Sequence, residues 1–349
     1  MKSLLAAATL LVSMLPGLAA AEIPEAVSDP GIPPLPETGK APKRGTLTIQ
    51  MENDRFANTD RHYTHGSRFS WVSSKDNIPG WAAWVMKWVT PPGVPDKDRS
   101  KHRIGYVFGH DIFTPEDISR EDLIIDDRPY AGWVYAGLSL HAETRTRLDT
   151  VELDVGLVGP QAYAEDVQTI VHDMINVGRP NGWNNQLKNE PGLVLILDRR
   201  WRLKAPAKIA MLEADIIPAF GGSFGNVRTH LSAGGIVRIG QSLPLDFGPP
   251  QIRPSLSAPP AFEAPEFFGW YIFGGADARL VLWNIFLDGN SFTESHDVSK
   301  KHLVGSAHFG AALAFGRVRL TATQVFRTQE YDGQGDPDTY GSLSMSVNF

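Results

Sequence analysis

The chain contains no cysteine. That absence removes thiol catalysis, thiolate-bound zinc and disulfide cross-links together, so backbone pairing and packing must hold the fold. Positive charge is also short: 33 Lys and Arg stand against 39 Asp and Glu, a net charge of −6. A mildly acidic chain lacks the basic footprint of a nucleic-acid binder, and no nucleic-acid partner is expected. Long apolar runs are scarce as well. Beyond residue 21 nothing approaches the ~20 consecutive apolar residues of a membrane-crossing helix.

The one such run lies at the N-terminus. Lys2 supplies a positive start, an apolar stretch from Leu4 to Leu18 follows, and Ala19-Ala20-Ala21 offers a small-residue cleavage site. Residues 1–21 read as a cleavable secretory signal; the run is short for an uncleaved anchor. Residues 22–44 are rich in proline and read as an N-terminal arm. An exported chain without disulfides is suited to a closed sheet, in which every backbone group finds a partner.

From Thr46 the pattern alternates. Leu47, Ile49 and Met51 fall on one face, with Thr48, Gln50 and Glu52 on the other. Val151, Leu153, Val155 and Leu157 repeat the signal against Glu152, Asp154 and Gly156. Polar residues at every second position fit a polar lumen behind a lipid-facing wall, although a soluble sandwich also alternates. About twelve such segments can be placed, near 45–53, 65–74, 102–111, 131–143, 149–158, 191–203, 207–219, 227–240, 268–284, 300–316, 317–329 and 339–349. The last decides between the two readings. Leu343, Met345, Val347 and Phe349 alternate with Ser342, Ser344, Ser346 and Asn348, and the chain ends on the aromatic. This resembles the C-terminal signature that the barrel-assembly machinery reads in outer-membrane proteins. The expected fold is an all-β transmembrane antiparallel barrel over residues 45–349, in a Gram-negative outer membrane.

An even strand count puts both chain ends in the periplasm. The outward connections are then 54–64, 112–130, 159–190, 220–226, 285–299 and 330–338. Of the periplasmic ones, 75–101 and the proline-rich 241–267 are longer than usual. The third outward segment includes a helical stretch running to about Val177. At 100° per residue, Tyr163, Val167, Ile170 and Met174 share one side, while Gln161, Glu165, Gln168, His172 and Asn176 form a stripe on the other. Taken alone, the stripe reads as a water-facing surface; the alternative presents His172 to a cleft.

Two blocks of outward sequence are specific in order and spacing. The first is Asn53-Asp54-x-Phe56-Ala57 followed by Asp60-Arg61-x-Tyr63-Thr64-x-Gly66. The second is Val158-Gly159-Pro160, then Gln168 and His172, with Gly182-Trp183 beyond. With Asp127-Arg128 and the C-terminal strand, they resemble the outer-membrane lipid A 3′-O-deacylase family, whose members trim acyl chains from lipopolysaccharide.

The resemblance implies a monomeric, calcium-dependent esterase near the outer leaflet, removing an acyl or acyloxyacyl chain from lipid A. Carried over by position, His172 is the general base that activates water, Asp54 helps bind Ca²⁺, and Asn53 and Thr64 line the same site. Arg120 and Arg128 are placed to pair with lipid A phosphates, or else form internal salt bridges. One position departs from the family pattern. The acidic residue expected six positions after the helix histidine is Gly178 here. Either Glu165 or Asp173 takes its place, or the base needs no such partner.

Other classes remain in view. A non-catalytic barrel, either a channel or a surface-binding protein, would tolerate loss of His172. A serine-dependent outer-membrane phospholipase would use a motif such as Gly221-Gly222-Ser223-Phe224-Gly225, but no helix follows it and it reads as a hairpin turn. Asp332-Gly333-Gln334-Gly335-Asp336-Pro337-Asp338 lacks the closing Glu of an EF-hand and reads as a solvated turn. Trp81, Trp84 and Trp88 have helical spacing and fit either an interfacial anchor or a short packed helix.

Overall fold

The alternating segments form twelve strands of nine to seventeen residues. They are β1 (Gly45–Asn53), β2 (His62–Ser73), β3 (Lys101–Thr114), β4 (Ala131–Glu143), β5 (Arg147–Val158), β6 (Glu190–Trp201), β7 (Glu213–Gly225), β8 (Arg228–Gln241), β9 (Phe268–Asn284), β10 (Leu303–Phe315), β11 (Val318–Arg327) and β12 (Asp338–Asn348). Each pairs antiparallel with its neighbours in sequence, and β12 pairs with β1, so the sheet closes into a barrel. Closure leaves no edge to be satisfied by lipid, which cannot hydrogen-bond.

This architecture comes from a computed structural model that describes residues 39–40, 45–57, 62–75, 78–89, 101–204, 212–250, 262, 264–265 and 267–349. The signal segment and most of the N-terminal arm lie outside the described residues. Gly39–Lys40 pairs antiparallel with Ala264–Pro265.

Strand parity sorts the side chains as the alternation requires. Ile49, Met51, Phe69, Phe108, Leu153 and Val155 are exposed on the outer wall, where lipid belongs. Thr48, Gln50, Glu52, Arg68, Glu152 and Ser344 are buried in the bore. Most strand limits match the sequence reading within a few residues, but β7, expected at 207–219, does not: the strand Glu213–Gly225 runs past 219, and residues 207–211 lie outside the described residues. The glycines read as a turn belong to the strand. They lie close to neighbouring backbone, and a Cβ on Gly225 would stand 1.9 Å from the Leu193 carbonyl oxygen. The turn itself is Asn226-Val227, so Ser223 points into the bore.

The described start of the long connection after β8, up to Pro250, turns into the barrel, while residues 251–261 lie outside the described residues. Leu243, Asp246, Phe247 and Pro250 are buried inside the barrel. Phe247 packs with Leu148, Ile217 and Ile236, and its carbonyl accepts from Arg200 Nη1 at 3.1 Å. The Asp246 carboxylate joins Arg238 and Arg319, and Arg238 also holds Asp215 at 2.6 and 2.8 Å. The two cavities beside Pro250 measure only about 20 and 10 Å³. Each has room for about one water. A filled bore opposes the channel alternative.

Two helices lie on the outside of the wall. α1 (Gly80–Val89) packs Ala82 and Met86 on Ile104, Leu140 and Ala142, at the periplasmic end of β3 and β4. α2 (Ala164–Met174) packs at the opposite end of the same two strands. A one-turn helix, α3 (Ile285–Asp288), closes the mouth above β9.

Candidate active site

Asn53 ends β1 with outward parity, and its side-chain carbonyl accepts from the Arg55 backbone N–H at 2.8 Å. That local turn bends the chain into a 3-10 segment, Asp54–Ala57, and buries Asp54 at its start. The segment packs against β12 and the start of β2. On β2, a register shift between Tyr63 and His65 leaves Thr64 in a bulge. The Thr64 hydroxyl meets the Thr114 hydroxyl at 2.7 Å, which ties the site to the end of β3. Asn53, Asp54 and Thr64 thus sit on adjacent strand ends at the external rim.

The next strands seat the helix. On the outer face, His65 lies opposite Asn53 on one side and Ile112 on the other. Ile112 packs with Ala164, Tyr130 and Trp183, and His110 Nε2 donates to the Ala162 carbonyl at 2.9 Å. Gly132 on β4 is required here, since a Cβ would come within 2.5 Å of Ala164 Cβ. Nothing larger would let α2 lie so close to the wall.

The helix is turned opposite to the water-facing reading. Ala164, Gln168 and His172 are buried against the protein, while Tyr163, Ile170 and Met174 are 66, 58 and 72% exposed. Ile170 and Met174 continue the lipid-facing wall, Gln168 and His172 face inward, and Gln161, Glu165 and Asn176 of the same polar stripe stay exposed. A water-facing His172 is therefore overturned: it is buried on the side of α2 that packs against the wall. Trp183 lies tilted against Tyr130, ring centroids 4.8 Å apart, and donates its indole N–H to Gln168 Oε1 at 3.0 Å, fixing the middle of the helix.

His172 Nδ1 lies 2.6 Å from the Gly178 carbonyl oxygen. A carbonyl can only accept, so Nδ1 carries the proton and Nε2 holds the lone pair in the neutral ring. This is the tautomer a general base needs. The position that lacks an acid in sequence therefore supplies an acceptor through its backbone. Neither nearby carboxylate takes that part: Glu165 is exposed, and Asp173 is bound by Arg179 at 2.6 and 2.7 Å. The Arg179 hydrogen bond holds the Asp173 carboxyl below its usual range. That clamp on the turn carrying Gly178 is thus present at neutral pH and lost only as acid protonates Asp173.

The two arginines separate. Arg120 is exposed on the loop beside Gly182. Arg128 is buried, lies over Phe113 at 5.2 Å, and donates to Glu330 Oε2 at 3.4 Å. Its neighbour Asp127 accepts from Tyr331 and from the Glu116 N–H at 2.7 Å, while its carbonyl accepts from His296 at 2.8 Å. The Asp127-Arg128 segment thus joins three external loops.

The other motifs are structural. Ser223 lies in the bore, 2.7 Å from His230 Nδ1 and away from the lipid side. Asp338 of the acidic turn is paired with His62 at 2.5 Å. No group of three or more His, Asp or Glu converges on a common point among the described residues. A metal bound near Asp54 would rely on that carboxylate plus neutral oxygens and water. That is a hard-cation donor set, suited to Ca²⁺ rather than to zinc or copper.

The Gly178 carbonyl, the Trp183–Gln168 bond and Thr114 were missed in sequence. Only His65 carried a readable signal, a polar residue at a lipid-facing parity.

Comparison with known proteins bears on the whole chain. The family described as Outer membrane protein LpxR matches residues 4–349. Among solved structures, LpxR from Salmonella typhimurium superposes with a TM-score of 0.70 at 18% identity, covering 87% of this chain and 100% of that one. The β domain of the Bordetella autotransporter BrkA is more distant, with a TM-score of 0.42 at 9% identity over 89% of this chain and 100% of that one. No curated protein matches the sequence.

Proposed function

The chain belongs to the LpxR family of outer membrane proteins, and from that premise we propose that it is a lipid A deacylase, a carboxylic ester hydrolase of the outer leaflet. The observation that carries this reading is His172: buried on the wall side of a lipid-facing helix, with Nδ1 bonded to the Gly178 carbonyl.

The chemistry follows from the residues. A water between the helix and the wall gives its proton to His172 Nε2 as its oxygen attacks the ester carbonyl. The bond from the acyl carbon to the sugar oxygen then breaks, and the imidazolium returns the proton to the leaving alkoxide. Such a positioned base contributes typically ~10²–10⁴-fold. Asp54, with Asn53 and Thr64 as neutral oxygen donors, would hold Ca²⁺, which when bound polarises the ester carbonyl. Arg120, exposed on the same rim, is the cation suited to a lipid A phosphate. Arg128 holds the loop framework from inside, a supporting part in the same site.

Location supports the substrate class. The rim lies on the external side, and α2 exposes Ile170 and Met174 beside Glu165, Asp166 and Asp173, an amphipathic surface. An amphiphile in the outer leaflet can reach a site between that helix and the wall without leaving the membrane. The protein acts as a monomer, delivered by the barrel-assembly machinery through the strand ending in Phe349. The serine-dependent alternative is opposed by the burial of Ser223 in the bore.

The test is mass spectrometry of lipid A incubated with detergent-purified protein in calcium or in EDTA. Loss of an acyl or acyloxyacyl mass in calcium, absent in EDTA, is expected. An unchanged spectrum with folded protein in calcium would contradict the proposal.

A further inference from the structure

α1 and α2 cover the same two strands from outside, at opposite ends. α2 rests on Ile112 and Gly132, and α1 rests on Ile104, Leu140 and Ala142. Ile104 and Ile112 are eight residues apart on β3. At about 3.3 Å per residue and a tilt near 40°, that is about 20 Å along the membrane normal, inside the roughly 25 Å apolar band of such barrels. The two helices therefore mark the two faces of the membrane.

The buried and exposed sides of α1 are distinct. Ala82 and Met86 meet the wall, while Trp81 and Trp84 are 51 and 61% exposed. Trp88 continues the spacing in sequence. Just above α1 the wall carries an outward aromatic pair, Trp71 stacked on Tyr106 at 5.9 Å. At the same end of the barrel Phe268 meets Phe315 at 4.9 Å. These rings form the periplasmic aromatic girdle, and the tryptophans of α1 extend it sideways.

We propose that α1 is an interfacial helix that lies in the headgroup–acyl boundary of the periplasmic leaflet, with Trp81 and Trp84 bound among phospholipids. A tryptophan ring has an apolar body and a polar N–H, and this boundary satisfies both. The partner is phospholipid, because the helix sits at the end opposite the lipid A side. This inference does not depend on the catalytic proposal.

The absence of cysteine makes the test direct. Trp81→Cys and Trp84→Cys variants would carry a nitroxide label in vesicles of phosphatidylethanolamine and phosphatidylglycerol. Labels at Phe108→Cys, on the lipid-facing wall, and Glu121→Cys, on an external loop, provide the references. The expected ratio of oxygen to nickel-chelate collisions at 81 and 84 is several-fold above that at 121 and close to that at 108. A ratio equal to that at 121 would place the helix in water and overturn the proposal. Shielding from both reagents would overturn it in favour of a protein partner. In the otherwise native chain, brominated phospholipid should quench less of the tryptophan emission once Trp81→Ala and Trp84→Ala are combined. Unchanged quenching would also count against it.

Discussion

The bore and the outer rim both bury polar side chains, yet for opposite reasons. In the bore, charge is matched by charge: Asp246 joins Arg238 and Arg319, and Arg68 holds Glu152 at 2.8 and 2.9 Å. The arginines and Glu152 occupy the strand parity at which a barrel of this kind is expected to be polar, and Asp246 meets them from the segment folded into the bore. At the rim, Asn53, His65 and His110 occupy the lipid-facing parity, where an apolar residue is expected. α2 packs on the neighbouring strand ends of β3 and β4 and buries Gln168 and His172 there. Polar burial in the bore holds the fold, and polar burial on the outer wall marks the proposed site.

Substitutions on the two sides sharpen this contrast. The largest effect on stability is expected in the bore. Asp246→Ala leaves Arg238 and Arg319 without their shared carboxylate and should destabilise the barrel by about 3–5 kcal/mol. Urea unfolding in detergent measures this, and the protein that remains folded should keep its deacylation rate. If it retained full stability, the segment 243–250 that plugs the bore would not be an anchor.

At the rim the order reverses, with small changes in stability and large ones in rate. Trp183→Phe keeps an aromatic ring, smaller than the indole, but removes the donor to Gln168 Oε1, loosening the seat of α2. A loss of about 1.4 kcal/mol there corresponds to a tenfold slower reaction, read from initial rates on lipid A. Gly178→Ala should change the rate less than about twofold, because the carbonyl is what binds His172 and a Cβ at Gly178 meets nothing within 4 Å. A large loss would show that the turn, not the carbonyl, matters. The smallest effect on rate belongs to Ser223→Ala: a bore hydroxyl lost, at most about 1 kcal/mol of stability, and unchanged deacylation.

Most of the barrel was legible in sequence because period-2 alternation maps directly onto wall and bore. β7 was the exception, since Gly221–Gly225 serves close strand packing and has the composition of a turn. The plug left no periodic signal. Its anchors, Asp246 with Arg238 and Arg319, lie far apart in sequence and meet only once the barrel closes. For α2 the two faces were readable, but amphipathicity alone does not say which face meets lipid. The acceptor for His172 was invisible for another reason: it is a backbone carbonyl, and no side chain announces it.

The decisive measurement is the deacylation rate of His172→Gln beside wild type and Ser223→Ala, on the same lipid A and in calcium. A ~10²–10⁴-fold loss at His172 with barrel folding intact, and none at Ser223, is the result expected for a base on the outer wall. Wild-type activity in His172→Gln, or its loss only in Ser223→Ala, would contradict it and move the chemistry into the bore.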